Sequence, residues 1–73
     1  MAETAAAVQA VLGTNPMNAQ ILQADETNGA DATTQAWYAI GNVDAAGRAR
    51  WCVTTAADSA ATQAASILTQ LRA

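Results

Sequence analysis

The chain has 73 residues, a formal net charge of −3, three Arg against six carboxylates, one Cys, and neither His nor Lys. One Cys cannot form an internal disulfide, and one thiolate with scattered carboxylates is a poor ligand set, so no dedicated metal site or other cofactor is expected. The same inventory argues against nucleic-acid binding, which relies on clustered Lys and Arg. It also argues against an enzyme, because no His is present to activate a nucleophile, and of Glu3, Asp44 and Asp58, which could pair for acid–base work, structure accounts for the two Asp.

Residues 1–73 read as a single domain. The bulky apolar residues are few and most of the nominally apolar ones are Ala, so the core is thin. A fold of this size often needs further stabilisation, and oligomerisation is the route left open. No basic segment precedes an apolar one at the N-terminus and Glu3 comes early. Cytoplasmic synthesis without a signal peptide is therefore expected. No apolar run approaches the roughly 18 residues of a membrane span, so membrane insertion is not expected.

Residues 2–12 are expected to form a helix, since Ala is the best helix former and Thr4, Val8, Val11 and Leu12 share one stripe. Gly13 is a natural cap, and Thr14-Asn15-Pro16 redirects the chain. Residues 17–25 fit two readings. Asn15 and Pro16 could open a second helix. Alternatively, Ala19, Ile21 and Gln23 alternate with Gln20, Leu22 and Ala24 as a strand. The strand is preferred because it would flank the hairpin that follows and help bury its apolar face. Residues 26–32 read as an acidic turn around Asn28-Gly29. Asp25, Glu26 and Asp31 there lack the alternating ligands and terminal Glu of a calcium loop.

Residues 35–55 carry all three aromatics and read as a β-hairpin. Asp44-Ala45-Ala46-Gly47 fits a type I turn, with Gly47 as a bulge. That turn would pair Val43 with Ala49, Gly41 with Trp51, Ala39 with Val53 and Trp37 with Thr55. One side of the hairpin then holds Trp37, Ala39, Gly41, Val43, Ala49, Trp51 and Val53 and is wholly apolar, which marks it as the core side. Trp51 would cover Gly41.

Residues 56–72 read as the last helix, with Thr55 and Asp58 at capping-box spacing. Ala57, Ala60, Ala61, Ala64, Ile67, Leu68 and Leu71 form its apolar stripe. Ser59, Thr62, Gln63, Ser66, Thr69 and Gln70 lie opposite, and Arg72 suits the C-terminal end of the helix dipole. The expected fold is a small α+β domain of order α-β-β-β-α, a three-stranded antiparallel sheet with both helices on one face. The expected core is Val8, Leu12, Trp37, Val43, Trp51, Val53, Ile67, Leu68 and Leu71.

This order resembles the double-stranded RNA-binding domain, with Gly47, the strand after it and the Ala-rich helix 54–71 as the nearest local likeness. That family gathers basic residues at the start of its last helix, where phosphates are contacted. Here Thr54-Thr55-Ala56-Ala57-Asp58-Ser59-Ala60 holds an acid and no base, so the resemblance implies topology and not RNA binding.

Cys52 lacks a His partner and reads as a passive strand residue. Asp44 has a turn role and Asp58 a capping role, which accounts for both carboxylates. Trp37 and Trp51 could stack on nucleic-acid bases, but core packing is the better reading. The other side of the hairpin holds Tyr38, Ile40, Asn42, Arg48, Arg50 and Cys52. Tyr and Arg are enriched at interface hot spots, so that side is the expected interface. The resulting expectation is a non-enzymatic structural or assembly protein that contacts itself, a larger protein assembly, or both. A small bacteriophage virion component, associated with capsid or tail, fits this size and composition. A monomeric adaptor or inhibitor domain using the same face is the alternative.

Overall fold

The chain alternates helix, strands and helix as the sequence pattern predicts. The computed structural model describes residues 5–25, 35–42 and 49–73. It comprises α1 (Ala5–Leu12), β1 (Ala19–Asp25), β2 (Gln35–Asn42), β3 (Ala49–Thr55) and α2 (Ala60–Arg72). The strands form one antiparallel sheet in the order β1-β2-β3. Both helices pack on the same side of it. The acidic turn 26–32, the turn at 44–47, Glu3, Val43 and Arg48 lie outside the described residues.

In α1 the three-to-four spacing turns Val8 and Leu12 fully inward. Gly13 N–H extends the helical ladder to Gln9 O at 2.8 Å. The chain then reverses through Asn15, whose Oδ1 accepts from Met17 N–H at 2.9 Å. Asn18 completes the reversal at a φ of 58°, a left-handed conformation that Asn tolerates better than most residues.

Residues 17–25 thus contribute a strand and not a helix, but the strand is not strictly alternating. The pairing shifts between Ile21, which faces Ile40, and Gln23, which faces Ala39. A bulge of this kind places two consecutive side chains on one side of the sheet. Leu22 and Gln23 are both exposed there, whereas Ile21 and Ala24 pack towards the helices.

The hairpin register differs from the expected one by two residues. Gly41 pairs with Ala49, Ala39 with Trp51, Trp37 with Val53 and Gln35 with Thr55. A two-residue shift keeps every side chain on its side, so the apolar pattern cannot detect it. Trp51 therefore does not cover Gly41. Leu22 does, and a Cβ at Gly41 would come within 2.8 Å of Leu22 Cδ1.

The larger correction concerns which side is inside. The helices cover Ala36, Tyr38, Ile40, Cys52 and Thr54, all buried. Trp37 and Trp51 remain 38% and 48% exposed, and Val53 is half-buried. The core is Val8, Leu12, Tyr38, Ile40, Cys52 and Ile67 with several alanines, flanked by Leu68 and Leu71. Two physical reasons favour this side. Helices that present Ala64 and Ala60 approach the sheet closely, and two indoles would hold them away. The polar groups of the covered side also find partners there. Gln63 is fully buried on α2, not on its exposed face as the pattern suggests. Its Oε1 accepts from Tyr38 Oη at 2.8 Å and from Thr54 Oγ1 at 2.8 Å. Its Nε2 donates to Asp58 O at 2.9 Å and lies 3.4 Å from Ala56 O.

The second helix also starts later than expected. Ser59 is its N-cap and accepts from Thr62 N–H at 3.2 Å. Residues 56–58 form a turn closed by Asp58 N–H on Thr55 O at 3.0 Å. That turn presents the Ala56 and Asp58 carbonyls to Gln63, which a helix begun at Ala56 would have consumed.

Gln63→Met keeps the volume and removes every polar contact. It takes the acceptor from Tyr38 Oη and the donor from the Ala56 and Asp58 carbonyls, while Thr54 Oγ1 keeps Ala36 O at 3.2 Å; each lost buried partner costs roughly 1–3 kcal/mol at most. A loss of about 2–4 kcal/mol in urea unfolding is expected. Tyr38→Phe, which removes one donor and leaves Gln63 otherwise bonded, is expected to cost about 1 kcal/mol. If Gln63→Met is neutral, the network does not decide the buried side.

Candidate functional site: the open face of the sheet

Alternation along the strands sends Trp37, Ala39 and Gly41 of β2 and Trp51 and Val53 of β3 away from the helices. The bulge in β1 adds Leu22, and Asp25 stands directly across from Trp37. Leu22 is 58% exposed, so three of the largest exposed apolar side chains share this one face. Trp51 faces the small Ala39, whose neighbour two positions away on the same side is Trp37. The two indoles are therefore diagonal neighbours with little between them. They and Asp25 line a shallow groove of about 410 Å³. Asp25 is the one charged side chain that the register places on this face among the described residues.

The expected interface side is thus turned over. Tyr38, Ile40 and Cys52 are sealed under the helices. Arg50 pairs with Ile40 and is exposed at the margin of the helix-covered side. Asn42 ends β2 opposite Ala19. The sequence does contain signals for this inversion. Tyr38, Thr54 and Gln63 are polar residues that can satisfy one another, and Gln63 shares the helical stripe of Ala60 and Ile67.

The edges of the sheet are also occupied. On β1, Gln9 Oε1 accepts from Ile21 N–H at 2.6 Å and Gln9 Nε2 donates to Ala19 O at 3.3 Å. On β3, Gln70 Oε1 accepts from Val53 N–H at 3.1 Å and its Nε2 donates to Val53 O at 2.7 Å. Each amide meets the backbone as the next strand's peptide group would. Unpaired strand edges recruit further strands, and the middle of each edge is closed to that here. A second hollow of about 300 Å³, beside Gln9, Gly13 and Asn18, adjoins an amide already engaged in this way.

Cys52 is fully buried. Burial raises its pKa, with Arg50 pulling weakly in the opposite direction, so at neutral pH it is a thiol and a poor nucleophile. Among the described residues no three His, Cys, Asp or Glu side chains gather as a metal site. No helix there is long and apolar enough to cross a membrane. The chain matches no family model, no curated protein and no solved structure. Its function must therefore be read from its own surface.

Two outcomes follow from these contacts. Gln70→Leu should lower stability by about 0.5–1.5 kcal/mol and raise thioflavin-positive aggregation as the β3 edge opens. Unchanged aggregation would mean that the amide does not guard the edge. The folded thiol also keeps a proton that the unfolded thiol releases. Its contribution is intact below the unfolded pKa and is lost as pH rises through the raised folded value. Urea midpoints should fall across that alkaline window, and Cys52→Ala should flatten the fall. An identical fall in Cys52→Ala would assign it to other groups.

Proposed function

We propose that this chain is a non-enzymatic assembly module that acts by protein–protein contact through the open face of its sheet. The observation that carries the reading is the exposure of Leu22, Trp37 and Trp51 together on one face while Tyr38, Ile40, Cys52 and Thr54 on the other are buried under the helices. Contiguous exposed apolar surface on a small protein marks an interaction site, and Trp is prominent among interface anchors.

Size and charge favour a partner larger than the chain itself. Three strands of seven or eight residues span roughly 14 by 25 Å at ordinary strand spacing and rise. That footprint is below the ~800 Å² per partner of a standard interface. An occupant confined to it binds weakly, whereas a larger partner reaches past the rim. A second copy would bring the same net charge of −3 and, stacked face to face, the same Asp25. Nucleic acid is disfavoured by that same charge, although two exposed indoles could stack on bases. A virion shell or tail is the setting proposed for such a module, on the strength of its size and low charge. An adaptor or inhibitor bound to one cellular protein would use the same face, and the partner's identity separates the two.

The test is a pair of variants in the full chain. Leu22→Ser with Trp51→Ser alters the open face and is expected to change unfolding free energy by no more than about 1 kcal/mol. Thr62→Glu alters the exposed helix side. Light scattering should give the 7.4 kDa monomer across about a hundredfold dilution. Chemical cross-linking in the source cells, read by mass spectrometry, should identify one partner that the serine variant loses and Thr62→Glu retains. A defined oligomer that dissociates on dilution would reassign the face to a second copy. A partner lost only with Thr62→Glu would move the site to the helices.

A further inference from the structure

Backbone N–H and C=O groups along an antiparallel strand alternate between its two neighbours, and the contacts of Val53 fix the phase in β3. Its N–H and C=O both go to Gln70, so they point away from β2. Thr55 O, two residues on, also points outward and accepts from Asp58 N–H at 3.0 Å. By the same alternation Ala49 and Trp51, which pair with Gly41 and Ala39, turn their N–H and C=O outward. No hydrogen bond among the described residues takes up those groups. The C-terminal half of this edge is thus closed by a side chain and a turn, and the N-terminal half is open. Trp51 stands on the open stretch and is 48% exposed. Arg50, between the two residues, is exposed on the helix-covered side. Trp and Arg are prominent among interface anchors.

We propose that the β3 edge at Ala49 and Trp51 receives an extended segment of another protein, paired as a fourth strand and reading apolar–acidic–apolar. In strand addition the backbone supplies affinity and alternate side chains supply specificity. An antiparallel segment in register sets its two apolar residues opposite Ala49 and Trp51 and its central residue opposite Arg50. Opposite charges facing each other across strands stabilise the pairing and like charges destabilise it, so Arg50 selects a carboxylate there. The same rule turns away a second copy. In the pairing that uses both open residues of each chain, Arg50 would face Arg50 of the other copy. A pairing centred on Trp51 would put the other copy's Ala49 where Gln70 already bonds Val53. The net charge of −3 opposes an acidic segment only at long range, where salt screens it beyond about 10 Å, so the facing pair decides. This edge is a different surface from the open face, and strand addition there does not depend on the docking reading.

The experiment uses the ¹⁵N-labelled full chain and a disulfide-closed hairpin peptide whose free strand reads Val-Thr-Val-Glu-Val, a shape that pays its ordering cost in advance. The backbone amide signals of Ala49 and Trp51 should move saturably, with a dissociation constant on the order of 1 mM, while Ile21 on the far edge stays still. N-methylation of the two valines that flank Glu removes the donors and should weaken the peptide at least about tenfold. A Lys in place of that Glu should weaken it about two- to fivefold, and Arg50→Glu should invert the preference. Gln70→Ala frees Val53 for the first valine and should tighten binding at least about twofold. Leu22→Ser alters only the open face and should leave affinity within about twofold. Unchanged signals from α1 and β1 will establish that Arg50→Glu and Gln70→Ala keep the fold. Still amides at Ala49 and Trp51, equal binding of the N-methylated peptide, or no inversion with Arg50→Glu would each overturn the proposal. Weaker binding with Gln70→Ala, or loss of binding with Leu22→Ser, would do so too, because the peptide would then lie elsewhere. Failure of the peptide leaves docking on the open face untouched, and failure of that docking leaves the edge.

Discussion

A single buried amide, that of Gln63, constrains the rest of this fold. Its oxygen holds the hydroxyls of Tyr38 and Thr54 and its nitrogen holds the carbonyl of Asp58. Those contacts tie the middle strand, an edge strand, the turn after it and the second helix to one point. Without them, Tyr38 Oη would lose this acceptor and Thr54 Oγ1 would keep only Ala36 O, a cost of a few kcal/mol at most that still matters to a small domain. With them, a side that looks second-best on hydrophobic content becomes the inside. The wholly apolar side is left facing out.

Hydrophobic count and polar satisfaction therefore point in opposite directions here, and that conflict sets the limit on what the sequence discloses. The α-β-β-β-α order was legible, because Ala-rich helices and a period-two hairpin leave strong patterns. So was the division of the hairpin into two sides, since Trp37, Ala39, Gly41, Trp51 and Val53 do share one. The choice between the sides was not legible from apolar content, because that measure has no term for a glutamine that satisfies two hydroxyls. The two-residue shift in pairing was hidden for another reason: it leaves side membership unchanged. Thr55 and Asp58 had the spacing of a capping box, but Ser59 supplies the cap, because the turn before it is needed to aim carbonyls at Gln63.

Three glutamines, Gln9, Gln63 and Gln70, divide the surfaces of the sheet between them. Gln63 fastens the covered side, and the other two occupy the backbone at the outer edges of β1 and β3. Gln63 and Gln70 occur on the same helical stripe as Ala60 and Ile67, at spacings of three and four. Both were expected on the polar side of the helix and belong instead to the side in contact with the sheet. An amide suits these places because it offers one donor and one acceptor, the same pair that a neighbouring strand presents.

With one side packed against the helices and both edges partly capped, the docking proposed above is directed to the remaining side. Exposed indoles carry a cost to a solitary protein, since a patch around Leu22, Trp37 and Trp51 invites nonspecific association. A fold could have avoided that cost by placing Thr or Gln there, as it does elsewhere on its surface. The two large aromatics stand where packing does not require them, with the one described carboxylate of the face beside them. Aromatic anchors are stiff and bury much area for little lost conformational freedom. In the docking proposed above, the indoles would supply most of the affinity.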